Sequence, residues 1–342
     1  MNFPRIGHAT VALPSGEVLV LGGHALALPL EEPWGSERIA LVEEIEVFDG
    51  VSSFRRLEHD LPFPRSDSSA FRTVSGEIVV VGGVAKTVGY SLENDGLWPG
   101  QDCGWPDCSV EANRPVVWLS EAGITLAVTF REANFTLRTP PMVELDPGIL
   151  VLGGSGTTTE VTTELLTEDD WISHPVISSL NKPRYVGAGV KLGVRFDDYR
   201  ALVVSRGLIA TLEMPSGRLT DIADLTGTYS EGGWSVHWEG LVPVSPERFL
   251  LVGHSQRDGF MSKFVETSSV GTATITDAPS PLSRRDDAIL TALGDGRAVR
   301  WGGWPWQSGI PAHRDIDRSR VLEIYDPRAH GFYLASETPN NR

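Results

Sequence analysis

The chain has 342 residues, 41% of them hydrophobic and 22% charged, a globular composition that excludes wholesale disorder. A net charge of −16 gives a surface that repels phosphate backbones, so no nucleic-acid partner is expected. With 36 Gly and 23 Pro the chain favours many turns over long helices. Its longest apolar runs, such as 25–30, reach about six residues, where a spanning helix needs about 20.

The first residues, Met-Asn-Phe-Pro-Arg-Ile-Gly-His, lack the basic and apolar regions of a secretory signal. A soluble, cytoplasmic monomer with no membrane partner is expected, with secretion as the alternative. The two cysteines, Cys103 and Cys108, do not make a disulfide framework. Reduced thiols are the preferred reading, with one short disulfide loop as the alternative on export. No His stands near them to complete a four-ligand zinc site, so no metal and no cofactor are expected.

In chain order one pattern recurs: an apolar run, a Gly/Pro/Asp turn, a second apolar run and a pair of small residues. It occupies 8–23, 68–83, 142–154 and 288–303, with weaker copies at 187–205 and 237–253. Further predicted strand pairs follow, as at 45–57, 116–130, 208–222 and 321–335. Alternation within the runs has period 2, and no window carries a helical stripe. Four short strands per unit of about 57 residues predict six four-stranded antiparallel sheets. One such sheet cannot bury its own face, whereas a closed ring of six buries a continuous core.

In these repeats the sequence resembles the Kelch-repeat β-propeller family over nearly its whole length. Gly22-Gly23, Gly82-Gly83, Gly153-Gly154 and Gly302-Gly303 match the family's second strand. Tyr325-Asp326-Pro327 followed by Phe332 is similar to its aromatic–turn–aromatic signature. Units four and five carry Val204-Ser205 and Val252-Gly253 in place of the diglycine. The resemblance implies an all-β fold, a six-bladed Kelch-type β-propeller of four-stranded antiparallel blades. One domain is expected over 1–342, with blades near 4–60, 62–131, 136–180, 183–224, 230–278 and 282–338 and an insertion at 84–113.

The loops between second and third strands are expected to be long in units one, two, five and six, near 24–38, 84–113, 254–263 and 304–319. They would wall one side of a mouth, and they carry Trp34, Trp98, Trp105, Trp304 and Trp306. Arg5, Arg65 and Arg285 each stand 17 residues before the first glycine of a diglycine, and Arg184 falls close to the same position in unit four. In Kelch modules that bind acidic peptides, arginines at such positions contact carboxylates, and the resemblance implies that role here. Pairing with acidic neighbours such as Asp67, Asp286 and Asp287 is the structural alternative. The residue after each small pair reads His24, Val84, Ser155, Arg206, His254 and Trp304. His24 and His254 are candidates for acid–base work near neutral pH.

Related chemistries leave few other marks. Copper-radical oxidases of this architecture use a Cys cross-linked to Tyr, but here both Cys share one insertion. The iron-dependent glucosinolate-specifier type spaces Glu, Asp and His by three residues; Asp170 and His174 have Leu166 where Glu would stand. Sialic-acid mutarotases are similar in their blade repeats, and Arg and His are available for such a site. The leading expectation is a binding scaffold for an anionic small molecule or an acidic peptide or protein. The alternatives are an isomerase or lyase acting on a small sugar-acid-like substrate, and an acidic inhibitor of a basic partner.

Overall fold

The computed structural model describes residues 5–27, 38–61, 64–84, 115–119, 131–132, 142–146, 148–152, 164–166, 171–173, 192–205, 208–214, 216–224, 236–255, 259–268, 273–283, 285–286, 288–302, 304–305 and 322–335. They build six four-stranded antiparallel sheets in chain order. Sheet one holds Ala9–Ala12, Val18–Leu21, Glu44–Phe48 and Phe54–Asp60. Sheet two holds Ser66–Arg72, Ile78–Val84, Pro115–Leu119 and Arg131–Glu132. Sheet three holds Met142–Leu145, Gly148–Val151, Glu164–Leu166 and Trp171–Ser173, and sheet four holds Leu192–Arg195, Arg200–Ser205, Leu208–Glu213 and Arg218–Asp224. Val236–Ser245, Arg248–Ser255, Gly259–Thr267 and Ala273–Asp277 form sheet five; Ile289–Ala292, Ala298–Trp301, Glu323–Asp326 and Gly331–Leu334 form sheet six. Among the described residues no helix is long and apolar enough to cross a membrane.

Sheets one and two, three and four, four and five, five and six, and six and one share packed faces. This explains why the second strands read as unbroken apolar runs: Val18–Leu21 and Ala298–Trp301 are buried at every position, because both faces are covered. Leu19 and Val47 of sheet one share a core with Ile78 and Val80 of sheet two. Val143 and Leu150 pack with Val203 and Leu212 across sheets three and four. Leu202 meets Phe249 and Leu251 across sheets four and five, and Leu250 and Phe264 meet Leu290 and Tyr325 across sheets five and six.

The last interface joins the ends of the chain. Val18, Val20 and Phe48 of sheet one are packed against Val299, Trp301 and Ile324 of sheet six. Trp301 lies edge-on to Phe48 at 5.5 Å and to His8 at 5.9 Å between ring centres. The Thr10 and Thr291 hydroxyls hydrogen-bond between the innermost strands of the two sheets. The innermost strands touch in the cyclic order one, two, three, four, five, six and back to one. Among the described residues no strand is exchanged: sheet one draws on residues 9–60 and sheet six on 289–334.

The diglycines serve this stacking. Gly22 and Gly23 take φ of 65° and 92°, and Gly82 and Gly83 take 71° and 95°, a region that L side chains avoid. A Cβ on Gly22 would lie 2.3 Å from the carbonyl oxygen of Arg65, the residue before the first strand of sheet two. The same carbonyl accepts a hydrogen bond from Gly23 N at 2.7 Å. The repeat therefore needs glycine both for backbone conformation and for contact with the next sheet.

Two small sheets extend one end of the stack. Arg5–Ile6 pairs with His24–Ala27, which pairs with Arg38–Leu41; Arg285–Asp286 pairs with Trp304–Pro305. Of the long loop expected near 254–263, residues 254–255 and 259–263 belong to paired strands. Arg248–Ser255 and Gly259–Thr267 stay paired up to Ser255↔Gly259, leaving only 256–258 between them. Asp258-Gly259, a strong hairpin dipeptide, carries that signal in the sequence. The expected insertion at 84–113 lies outside the described residues apart from Val84.

Candidate functional site

Strand direction puts the starts of the first strands and the ends of the second strands at one end of the molecule. The registers show it: Arg5 is opposite Ala25, Ile6 opposite His24, Arg285 opposite Pro305 and Asp286 opposite Trp304. His254, equivalent to His24, is opposite His237. The candidate groups of sheets one, five and six thus share the end that bears the second-to-third loops. Arg184, Arg206, Trp34, Trp98, Trp105 and Trp306 lie outside the described residues, as do Cys103 and Cys108.

Arg5 and Arg65 are built into the wall of this end. Arg5 is 1% exposed, and its Nη1 donates to the carbonyls of Gly22 at 3.0 Å and Glu44 at 2.8 Å. Its Nη2 donates to Glu46 Oε2 at 2.7 Å, and both side chains are fully buried. Burial pulls its pKa below the ordinary guanidinium value, and the Glu46 carboxylate only partly offsets that. Arg65 is fully buried as well and donates to the Gly82 carbonyl at 3.2 Å; burial pushes its pKa down to about 10. The equivalent bonds from Arg5 to Gly22 and from Arg65 to Gly82 show a structural use of the repeated arginine. Facing outward to a ligand carboxylate, as expected for these two, does not match the burial.

A second buried charge cluster spans sheets five and six. Arg300, in the second strand of sheet six, donates from Nε to Glu239 Oε2 at 2.8 Å and from Nη2 to Glu239 Oε1 at 3.1 Å. This is the bidentate geometry that suits guanidinium and carboxylate. Arg300 Nη1 donates to Glu323 Oε2 at 3.2 Å and to the Ser283 carbonyl at 3.0 Å. The Ser283 amide donates to the other Glu323 oxygen. Burial opposes the charge on Arg300, yet Glu239 and Glu323 together hold its pKa above the ordinary value. Arg5 hydrogen-bonds one carboxylate and falls; Arg300 hydrogen-bonds two and rises.

His254 joins this cluster. Its Nδ1 lies 3.5 Å from Glu239 Oε1, an ion-pair distance slightly long for a hydrogen bond, and the residue is 7% exposed. Phe260 covers one side, 5.6 Å from the imidazole centre and 5.1 Å from the Arg300 guanidinium carbon. Glu239 owes its position to a β-bulge: Trp238 is opposite Gly253 and Gly240 opposite Val252, so Glu239 is the extra residue. Such a bulge re-aims a side chain out of the strand's alternation. Arg300 fixes the carboxylate, and the carboxylate faces the imidazole. Among the described residues, no three His, Cys, Asp or Glu side chains converge as a metal site requires.

Glu46, Glu239, Arg300 and Glu323 were not among the residues expected from sequence. Arg300 had a signal, a charge inside the apolar run Ala-Val-Arg-Trp that leads into Gly302. Glu46 and Glu323 are equivalent, opposite Val20 and Arg300 respectively, two positions before the diglycine.

No protein-family model matches the chain, and no curated protein matches it. Solved structures do. One described as YjhT is similar over 80% of this chain and 84% of its own, with 10% identity and a TM-score of 0.56. A fungal alcohol oxidase of the AA5 family, in complex with copper, is similar over 99% of this chain and 66% of its own, with 12% identity and a TM-score of 0.58. At these identities the likeness concerns fold alone: a propeller-like, all-β arrangement of four-stranded antiparallel sheets.

Proposed function

We propose that the protein is a six-bladed Kelch-type propeller enzyme that moves a proton on a small polar, sugar-acid-like substrate at its loop-bearing end. The observation that carries this reading is the His254–Glu239–Arg300 chain on the bulge of sheet five. In this reading Glu239, clamped by Arg300 and 3.5 Å from Nδ1, favours the imidazole tautomer that carries its proton on Nδ1. Nε2 is then the atom that takes a proton from the substrate and returns it. Such a transfer is an isomerase or lyase step and needs no oxidant. Glu239 and Arg300 act as positioning residues.

The test is turnover of glucuronate, galacturonate and N-acetylneuraminate followed by NMR. His254→Ala is expected to cost about 100-fold or more in rate while substrate still binds. Glu239→Gln is expected to shift the pH profile of the rate. Full turnover by His254→Ala contradicts the reading.

A second reading is a binding scaffold for an anionic or peptidic ligand. It draws on the two backbone ribbons that raise the rim and set Arg285 opposite Pro305 and His24 opposite Ile6. In that reading Arg285 and the loop tryptophans contact the ligand. Its mark would be binding of an acidic peptide that Arg285→Ala weakens, with no turnover of any sugar acid.

A further inference from the structure

The buried charges of sheet six stand where the repeat is elsewhere apolar. Val20, Val80 and Val151 each lie two residues before the first glycine of a diglycine, and Arg300 holds the same place before Gly302. All four are fully buried. Valine fills that place at no electrostatic cost. A guanidinium there needs fixed anions, and apolar residues commonly replace such a buried group without loss of stability. Packing of sheet six therefore does not by itself account for Arg300.

The guanidinium is held from two sides. Its Nε and Nη2 donate to Glu239 of sheet five at 2.8 and 3.1 Å. From behind, Nη1 donates to Glu323 Oε2 at 3.2 Å and to the Ser283 carbonyl at 3.0 Å. Glu323 is fixed in turn, because the Ser283 amide donates to its Oε1. Both oxygens of Glu323 thus accept, and its side chain is fully buried. Sheet one gives the contrast. Glu46, at the register of Glu323, closes on Arg5, near the start of its own sheet. Glu323 instead holds an arginine whose other side reaches the neighbouring sheet, where Glu239 lies 3.5 Å from His254 Nδ1.

We propose that Glu323 is a positioning residue for His254. It fixes Arg300 from behind, Arg300 aims the Glu239 carboxylate, and the carboxylate favours the imidazole tautomer with its proton on Nδ1. The inference rests on the reading of His254 as the group that moves a proton, since that tautomer leaves Nε2 to accept one.

The experiment reads the tautomer directly, by nitrogen NMR shifts of the His254 ring in the whole protein at about pH 8, above the ordinary imidazole pKa. The His254 signals are those that His254→Ala removes. Glu323→Gln keeps the size of the side chain but leaves one acceptor oxygen, so its amide nitrogen must face either Arg300 or the Ser283 amide, donor against donor. The ratio of Nδ1-protonated to Nε2-protonated ring is expected to fall about 10-fold in Glu239→Gln and about 3-fold in Glu323→Gln, within the size of hydrogen bonds to charged groups. Glu46→Gln is the control. It breaks a buried pair at the same register in sheet one, and it is expected to leave the ratio unchanged. Glu323→Asp keeps the charge but draws it back by one methylene. It is expected to give a smaller fall, and it carries the test if Glu323→Gln does not fold. An unchanged ratio in both Glu323 variants, or an equal change in Glu46→Gln, overturns the inference. If Glu239→Gln also leaves the ratio unchanged, the reading of His254 falls with it. If Glu239→Gln alone shifts the ratio, only the role of Glu323 is lost.

Discussion

A guanidinium taken out of water must find fixed anions or carbonyls close by. Arg5 finds Glu46 with both groups buried, whereas Arg55 and Glu17 meet at 3.1 Å with exposures of 56% and 31%. Breaking the buried pair leaves a charge stranded, so Glu46→Gln is expected to cost about 3–5 kcal/mol in urea unfolding. Glu17→Gln is expected to cost under about 1 kcal/mol. Equal costs would contradict a bracing role for Arg5. Neither partner of Arg5 or Arg300 was legible in the sequence. Glu46 reads as an ordinary outward residue of Ile-Glu-Val-Phe, and Glu239 stands 61 residues from Arg300. Contacts between sheets depend on register and on a bulge, and alternation alone reveals neither.

A single carboxylate can also be read through pH. Asp49 Oδ1 accepts the backbone amides of Val51, Ser52 and Ser53 at 2.8, 2.8 and 3.0 Å. Burial pushes its pKa up, but these donors outweigh it and hold it below the usual value. A carboxyl depressed in the folded state stabilises fully above its unfolded pKa, and that share is lost as pH falls through the folded value. Stability is therefore expected to decline below about pH 4, and Asp49→Asn is expected to flatten that decline in urea midpoints taken from pH 2 to 6. An unchanged acid limb would contradict the assignment.

At the scale of the strand and turn, two glycines separate conformation from contact. Gly16 has φ 86° with nothing within 4 Å of a Cβ, whereas Gly22 has φ 65° with the Arg65 carbonyl oxygen 2.3 Å away. Gly16→Ala is expected to cost about 1 kcal/mol from backbone strain alone. Gly22→Ala is expected to cost about 1–3 kcal/mol more, because the neighbouring sheet must also move. Matching unfolding midpoints for the two variants would show that the close approach carries no weight. The diglycine was legible because its repetition marks a fixed place in each sheet. The pairing of Ser255 with Gly259 was not expected, because the polar run from Ser255 reads in sequence as loop. Such residues remain compatible with a strand that projects beyond the core.

For the whole molecule, order around the ring decides which residues are neighbours. The run of apolar second strands and the recurrence of glycine pairs made four-stranded sheets in a closed ring legible from sequence, but the mode of closure was not. It rests on side chains at the junction of sheets one and six, where Trp301, 1% exposed, meets Phe48 and Phe54 at 5.5 Å. Thr10 and Thr291, 281 positions apart, touch across that junction. The direct measurement is a disulfide between Thr10→Cys and Thr291→Cys in a chain with Cys103→Ser and Cys108→Ser. Under mild oxidation of dilute protein, near-complete intramolecular cross-linking is expected, seen as a mobility shift on non-reducing electrophoresis that dithiothreitol reverses. A chain whose first and last sheets do not meet would remain unlinked, or link only between molecules as concentration rises.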